Sequence, residues 1–366
     1  MSLDVSIVIG TRPEAIKCAP VVHELRGRGI AVRVVATGQH AELADDALAT
    51  FGLKADVNLR AMGDGGLSAL ASRLLAALDA DLKANPPRLV IVQGDTTSAM
   101  TGAMAAFHMR VPCAHIEAGL RSGRVDAPWP EEMNRVIADR LSTRHYAPTI
   151  GARDNLLREG LAHESILVTG QTGVDAALWM SRELGDTPPG RLAALLPSGP
   201  VVYVTLHRRE NQDGGITRVL QGIVAALDES DATALLAAHP SPDVQEQLRP
   251  VAHERLRVTT PLSYAESVWM LAHADAIVTD SGGIQEEAPS FGTPVLVARD
   301  VTERPEGLEA GFLRLVGTDS ETVRVALVET LGDTGLRARL KQRTNPYGDG
   351  QASRRIADDV TELLKQ

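Results

Sequence analysis

Asp4-Val5-Ser6-Ile7-Val8-Ile9-Gly10-Thr11-Arg12-Pro13-Glu14-Ala15-Ile16-Lys17 is the stretch that decides the fold. A run rich in β-branched residues reads as a buried strand, Gly10 as the turn that ends it, and Pro13 as the opening of a helix. The same unit recurs along the chain, with short β-branched runs at 4–9, 31–36, 88–93, 111–116, 143–147 and 165–169, each before a longer helical pattern. A second series follows at 201–206, 233–238, 256–259, 274–279, 294–298 and 313–316. Strands that alternate with helices build parallel sheets. The expectation is an α/β protein with two doubly wound domains.

At 366 residues the chain exceeds what one hydrophobic core normally serves, so two domains is the natural count. We expect residues 1–170 and 171–350 to form them, with Asp186-Thr187-Pro188-Pro189-Gly190 in the connecting structure and a closing amphipathic helix within 351–366. Hydrophobic residues make up 44% and the net charge is −10, the balance of a globular protein rather than a disordered one. No apolar run approaches the ~18 residues of a membrane span, and no basic stretch with an apolar core opens the chain. A cytoplasmic location is the expectation.

Cys18 and Cys113 are too few for a disulfide framework or a thiolate zinc site and read as buried thiols. The acidic balance and a total of 11 aromatic residues remove the charge and stacking surfaces that nucleic-acid binders need. With 32 Arg against 5 Lys, a lysine inside a motif, such as Lys17, stands out.

Open parallel sheets bind ligands beyond the carboxyl ends of their strands, so the residues after each strand carry the functional signal. After the first come Arg12 and Lys17 at a helix start whose free N–H groups suit a phosphate or carboxylate. An ordinary turn, with Pro13 at the first helical position and Glu14 set against the helix dipole, gives the same letters. Gly94-Asp95-Thr96-Thr97-Ser98 and His115-Ile116-Glu117 each place a carboxylate at a strand end. Asp95 reads equally as a helix cap, whereas Glu117, directly after an apolar strand, suits neither strand nor cap. Pro128-Trp129-Pro130-Glu131-Glu132-Met133-Asn134-Arg135 adds a third acidic site. Carboxylates that converge would repel and raise one another's pKa toward the range of acid and base catalysis.

In the second half one strand delivers His207-Arg208-Arg209-Glu210-Asn211 and another delivers Asp280-Ser281-Gly282-Gly283-Ile284-Gln285-Glu286-Glu287. Backbone N–H groups of Ser281, Gly282 and Gly283 would cradle a diphosphate, with Glu286 on a ribose diol. The serine-protease echo of Asp280-Ser281-Gly282-Gly283 fails, because a strand-to-helix turn is the wrong setting for it. Neither the dinucleotide nor the P-loop fingerprint occurs, and no metal motif is present.

Taken together, residues 10–17, Thr37-Gly38-Gln39-His40, 94–98, 115–121, 128–135, 207–211, His239-Pro240, 280–287, 299–306 and 345–350 resemble the non-hydrolysing UDP-N-acetylglucosamine 2-epimerases nearly end to end. The resemblance implies the GT-B fold, two Rossmann-like domains facing a cleft with the last helix returning to the first domain, and a homodimer. It also implies interconversion of UDP-GlcNAc and UDP-ManNAc by elimination of UDP to 2-acetamidoglucal and its re-addition, with no metal or redox cofactor. By matching motifs, Asp95, Glu117 and Glu131 correspond to the catalytic carboxylates. Arg12, His207, Ser281, Gly282, Gly283 and Glu286 would hold UDP, Arg304 would lie near sugar and diphosphate, and Lys17, Arg135 and Arg208 would complete the substrate contacts. His207 would also stabilise charge on the departing diphosphate.

Regulated members bind a second UDP-GlcNAc as effector, for which Gln39, Glu42, Arg73, Glu131, Arg208 and His239 are the matching residues. Ala41-Glu42-Leu43 departs from the arginine and methionine common there, and Gln171-Thr172-Gly173-Val174-Asp175 also departs from the usual pattern. A weakened effector site is expected. Rival readings are the hydrolysing branch, which releases UDP and ManNAc, a glycosyltransferase of the same fold, and a nucleotide-sugar sensor. A product assay separates the first, turnover without an acceptor the second, and the three retained carboxylates weigh against the third.

Overall fold

A computed structural model describes residues 3–38, 41–208, 211 and 213–365, with the side chains of Ala41 and Glu42 outside that description. The chain divides into two compact units, Met1–Ala176 with Gly348–Gln366, and Ala177–Tyr347. In the first, a seven-stranded sheet holds β1 (Val5–Ile9), β2 (Val32–Ala36), β3 (Val57–Asn58), β4 (Leu89–Gln93), β5 (Cys113–Ile116), β6 (Arg144–Ala147) and β7 (Ile166–Val168). Their order is β3-β2-β1-β4-β5-β6-β7 and every pairing is parallel.

The second unit repeats the plan with β8 (Val201–Thr205), β9 (Thr233–Ala237), β10 (Leu256–Thr259), β11 (Ala276–Thr279), β12 (Val295–Val297) and β13 (Leu313–Leu315), in the order β10-β9-β8-β11-β12-β13. These pairings are parallel too. All twelve expected strands form, with ends shifted by at most two residues. The addition is β3, a two-residue edge pairing with no apolar run to announce it.

Burial on both faces explains why the central strands β1, β4 and β8 read as largely apolar runs. Val202 and Val204 of β8 pack into one core, while Val201 and Tyr203 of the same strand pack into another. Strand order reverses between β1 and β4 in the first unit, and between β8 and β11 in the second. At such a switch point the loops diverge and leave a crevice at the carboxyl ends of the strands. Helix Thr97–His108 lies close on its sheet because it is built from small residues; a Cβ on Gly102 would come within 2.9 Å of Val92.

The last helix, Ala352–Leu363, belongs to the first unit. Asp175 accepts hydrogen bonds from the first amides of that helix, Ala352 N at 3.2 Å and Ser353 N at 2.6 Å. Asp359 then pairs with Arg144 and accepts from Tyr146 Oη at 3.0 Å, fastening the helix to β6. Among the described residues no helix is long and apolar enough to cross a membrane.

Candidate active site

The turn after β1 is held by a carboxylate. Helix Arg12–Gly27 starts on the N-cap Thr11, so Pro13 takes the second helical position rather than the expected first. Glu14 folds back, and its Oε2 accepts from Gly10 N (2.8 Å), Thr11 N (2.6 Å) and Thr11 Oγ1 (2.8 Å). Its Oε1 accepts from Thr96 Oγ1 at 2.6 Å. Glu14 thus joins the turn after β1 to the turn after β4, across the switch point. It is 2% exposed, and burial pushes its carboxyl up to about 7 against the opposing pull of those hydrogen bonds. The close fit requires Gly10, where a Cβ would stand 2.1 Å from Ser98 Oγ.

Asp95 is not the helix cap. Thr96 takes that position and accepts from Ala99 N at 3.1 Å. The Asp95 carboxylate instead pairs with the Arg135 guanidinium, and its carbonyl accepts from Asn134 Nδ2 at 2.9 Å. Both partners lie on helix Glu131–Leu141, whose first residue is Glu131. Glu132 accepts from Ser122 N and Gly123 N at 3.1 and 3.2 Å, tying that helix to the loop before it.

Glu117 follows β5 with φ +70°, a left-handed conformation that L side chains rarely adopt. Its Oε2 meets Lys17 Nζ at 2.6 Å and accepts from the Gln93 side chain. The sequence expectation of mutually repelling carboxylates is therefore corrected for two of the three. Asp95 and Glu117 each face a cation, and the carboxyl that burial raises is Glu14. Arg12 sits half-buried at the first position of its helix.

In the second unit, Asp280 is fully buried and organises the turn after β8. Its carboxylate accepts from His207 N (2.9 Å), Arg208 N (2.9 Å) and Asn211 Nδ2 (3.0 Å), with His207 Nδ1 at 3.3 Å. The His207 ring stacks on His239 with centroids 6.1 Å apart. Partial burial pulls the His207 imidazole below its ordinary value; Asp280 opposes that pull, and Arg208 and His239 add to it.

Ser281 caps helix Gly282–Glu287, but its amide donates to Thr279 Oγ1 at 3.0 Å. The expected cradle of three free amides is thereby reduced to Gly282 and Gly283. Arg304 packs over Gly282, where a Cβ would fall 2.6 Å from the guanidinium carbon, and it binds Glu286 Oε1 at 2.8 Å. Glu303 flanks the same arginine. Burial alone would raise its carboxyl, but Arg299 and Arg304 outweigh that and hold it at about 2. Tyr347 Oη donates to the Arg304 carbonyl at 2.9 Å and accepts from Gly307 N at 2.8 Å, fixing the arginine's backbone.

Of the effector candidates, Gln39 lies outside the described residues, and so does the side chain of Glu42. Arg73 donates to the carbonyls of Ala61, Gly63 and Asp64, each at 2.9 Å, and so closes its own loop. His239 is exposed, and its Nδ1 accepts from Ser241 N at 3.2 Å. Glu14 and Asp280 are residues whose importance sequence reasoning missed. For Glu14 a signal existed, since Thr11-Arg12-Pro13-Glu14 has the T-x-x-E spacing of a capping box. Among the described residues no cluster of three or more His, Cys, Asp or Glu is placed to hold a metal ion.

Residues 23–361 match the family model described as UDP-N-acetylglucosamine 2-epimerase. A UDP-N-acetylglucosamine 2-epimerase of Escherichia coli O157:H7 is 41% identical, over 97% of this chain and 98% of that protein. The crystal structure of a UDP-GlcNAc 2-epimerase from Neisseria meningitidis bound to UDP-GlcNAc superposes with a TM-score of 0.90 at 35% identity, covering 99% of this chain and all of that one. The Methanocaldococcus jannaschii enzyme, in complex with UDP-GlcNAc and UDP, gives 0.83 at 31% identity, covering 98% and 99%.

Proposed function

Because the chain belongs to the UDP-N-acetylglucosamine 2-epimerase family, a family of isomerases acting on a nucleotide sugar, we propose that it interconverts UDP-GlcNAc and UDP-ManNAc without net hydrolysis. The hydrogen on sugar carbon 2 is weakly acidic, so its removal is coupled to departure of UDP. The C2–H bond breaks, its electron pair forms the C1–C2 double bond, and the C1–O bond breaks with its pair on the diphosphate oxygen. The intermediate is 2-acetamidoglucal with UDP still bound. Re-addition of that oxygen to carbon 1, with a proton delivered to the opposite face of carbon 2, completes the inversion. Neither oxidation nor a metal enters this balance.

The observation that carries the reading is the pair of carboxylates at the ends of β4 and β5, beside the switch point, each held by a fixed cation: Asp95 by Arg135 and Glu117 by Lys17. With Glu131 they supply the base and acid that the two proton transfers need. UDP is assigned to Arg12, His207, the Gly282 and Gly283 amides, Ser281, Glu286 and Arg304, with Arg208 alongside. Cations on the diphosphate favour its departure as charge develops there. Support for the ligand comes from the Neisseria and Methanocaldococcus relatives, which hold UDP-GlcNAc or UDP.

The test is proton NMR of UDP-GlcNAc incubated with the protein in D2O. Deuterium at carbon 2 of both epimers is the expected result. Fully retained protium overturns the elimination, and accumulation of free ManNAc with UDP assigns the chain to the hydrolysing branch.

A further inference from the structure

His115 lies in β5 with its ring fully buried, two residues before Glu117. Its Nε2 is 2.7 Å from the Gly94 carbonyl and its Nδ1 is 2.6 Å from Asp139 Oδ1. A carbonyl only accepts, so Nε2 carries a proton. Asp139, also fully buried, accepts through Oδ2 from Gly119 N at 3.2 Å and Arg121 Nη2 at 2.7 Å. A carboxyl whose Oδ2 accepts from both an amide and a guanidinium is an anion. The proton on the Nδ1 side therefore also belongs to the ring, and His115 is an imidazolium.

We propose that His115 is a positioning residue for the reaction, an imidazolium clamped between Asp139 and the Gly94 carbonyl that fixes the Asp95 turn against the strand end carrying Glu117. The proposal rests on the reading above that Asp95 and Glu117 act on the substrate. Gly94 bends the chain after β4 with φ +71°, and both sides of it are tied to β5. Its N–H donates to the Ile116 carbonyl at 3.0 Å, and its carbonyl accepts from His115. Asp95 is the next residue after Gly94, and Glu117 the next after Ile116. The clamp thus stands one residue from Asp95 and two from Glu117 and sets their separation.

The surrounding charges alternate. Arg121 pairs with Glu159 as well as Asp139, so two cations and two anions cancel along the chain His115, Asp139, Arg121 and Glu159. Burial alone would depress the His115 imidazole, but Asp139, the Gly94 carbonyl and the charge of Glu117 overcome that and hold it above the ordinary histidine value. His145, whose Nε2 lies 2.8 Å from the Asp139 carbonyl, is pushed down, first by its own burial and also by the neighbouring His115 charge. A buried ion pair seldom outperforms apolar packing in stability. Position is the better account of this one.

The native protein, labelled with 15N-histidine and free of substrate, is examined at about pH 7, above the ordinary histidine value of about 6.5. The expected spectrum shows both His115 ring nitrogens protonated, and Asp139→Asn returns the ring to the neutral form. In steady-state assays Asp139→Asn and His115→Gln should lower kcat roughly tenfold to a hundredfold while KM for UDP-GlcNAc stays within about twofold, as small misplacements of catalytic groups do. A neutral His115 ring in the native protein overturns the proposal, and so does unchanged kcat in a folded Asp139→Asn protein. If either variant fails to fold, the native spectrum still decides the charge state. Retained turnover in Asp95→Asn or Glu117→Gln would instead sink the functional reading, leaving the ring's charge state untouched.

Discussion

Glu14→Gln replaces a buried carboxyl by an amide of the same shape and removes one titration from the folded protein. The folded carboxyl titrates near 7 and the unfolded one near 4.5. Below about 4.5 both states are protonated and the group is neutral. Between the two values the unfolded chain ionises while the folded one keeps its proton, so stability falls as pH rises. Above about 7 the folded state bears the full penalty of a buried anion. At about 1.4 kcal/mol for each pH unit, the penalty is about 3 kcal/mol. Glutamine carries none of it. The unfolding free energy of the native protein minus that of Glu14→Gln should therefore drop by about 3 kcal/mol from pH 4.5 to pH 8. Urea titrations of both proteins at each pH measure it, and the subtraction cancels every other titrating group.

A difference that stays flat, or rises with pH, would refute the reasoning. A rise would mean that the converging donors outweigh burial and favour the carboxylate. The geometry argues otherwise. Both backbone amides and Thr11 Oγ1 bond to Oε2, which serves equally as the carbonyl oxygen of a neutral carboxyl. Thr96 Oγ1, bonded to Oε1, is a hydroxyl and accepts as readily as it donates. Protonation at Oε1 therefore loses no partner.

Asp95→Asn, Glu117→Gln and Glu131→Gln should each lower turnover by roughly a hundredfold or more, the usual worth of a general acid or base, with UDP affinity by calorimetry unchanged; near-native turnover in Glu117→Gln would remove that residue from the chemistry. Gly282→Ala places a methyl 2.6 Å from the Arg304 guanidinium carbon and should displace it from Glu286, weakening UDP binding roughly tenfold, as losing a charge-assisted contact does, with the melting temperature little changed. Starting from pure UDP-ManNAc, progress curves should begin with a lag that added UDP-GlcNAc shortens. Curves linear from the first turnover would exclude an effector site.

The fold was legible because strands covered on both faces must be apolar at every position, which leaves continuous runs such as Leu89-Val90-Ile91-Val92 that no surface helix imitates. β3 escaped because two residues paired at a sheet edge have no composition of their own. Strand-end positions were legible for a topological reason, since a parallel sheet presents its ligand residues there whatever the ligand. What each side chain touches was not. Lys17 meets Glu117 across 100 residues of sequence, and Glu14 meets Thr96 across 82. Arg73, matched to an effector site by motif, is taken up by the carbonyls of residues 61–64, and no sequence spacing announces that loop.

The same turns are also where local rules fail together. Glu14 buries a carboxyl with no cation among its hydrogen-bonding partners, Glu117 holds a left-handed backbone without being glycine, and His115 and Asp139 form a charged pair with no access to water. Strained backbone costs about 1 to 3 kcal/mol and a buried ion several, so a chain shaped by stability alone would avoid them. All three instead gather at the ends of β1, β4 and β5, beside one switch point, where Glu14 bonds to Thr96 and His115 to Gly94. In the second unit Asp280 is likewise buried beside its switch point, ringed by donors from the turn after β8. Local violations that recur at the strand ends where an open sheet binds its ligand mark those ends as the working surface. That inference depends on no relative's name, and it meets the motifs at Glu117 and at the turns that carry Asp95 and His207.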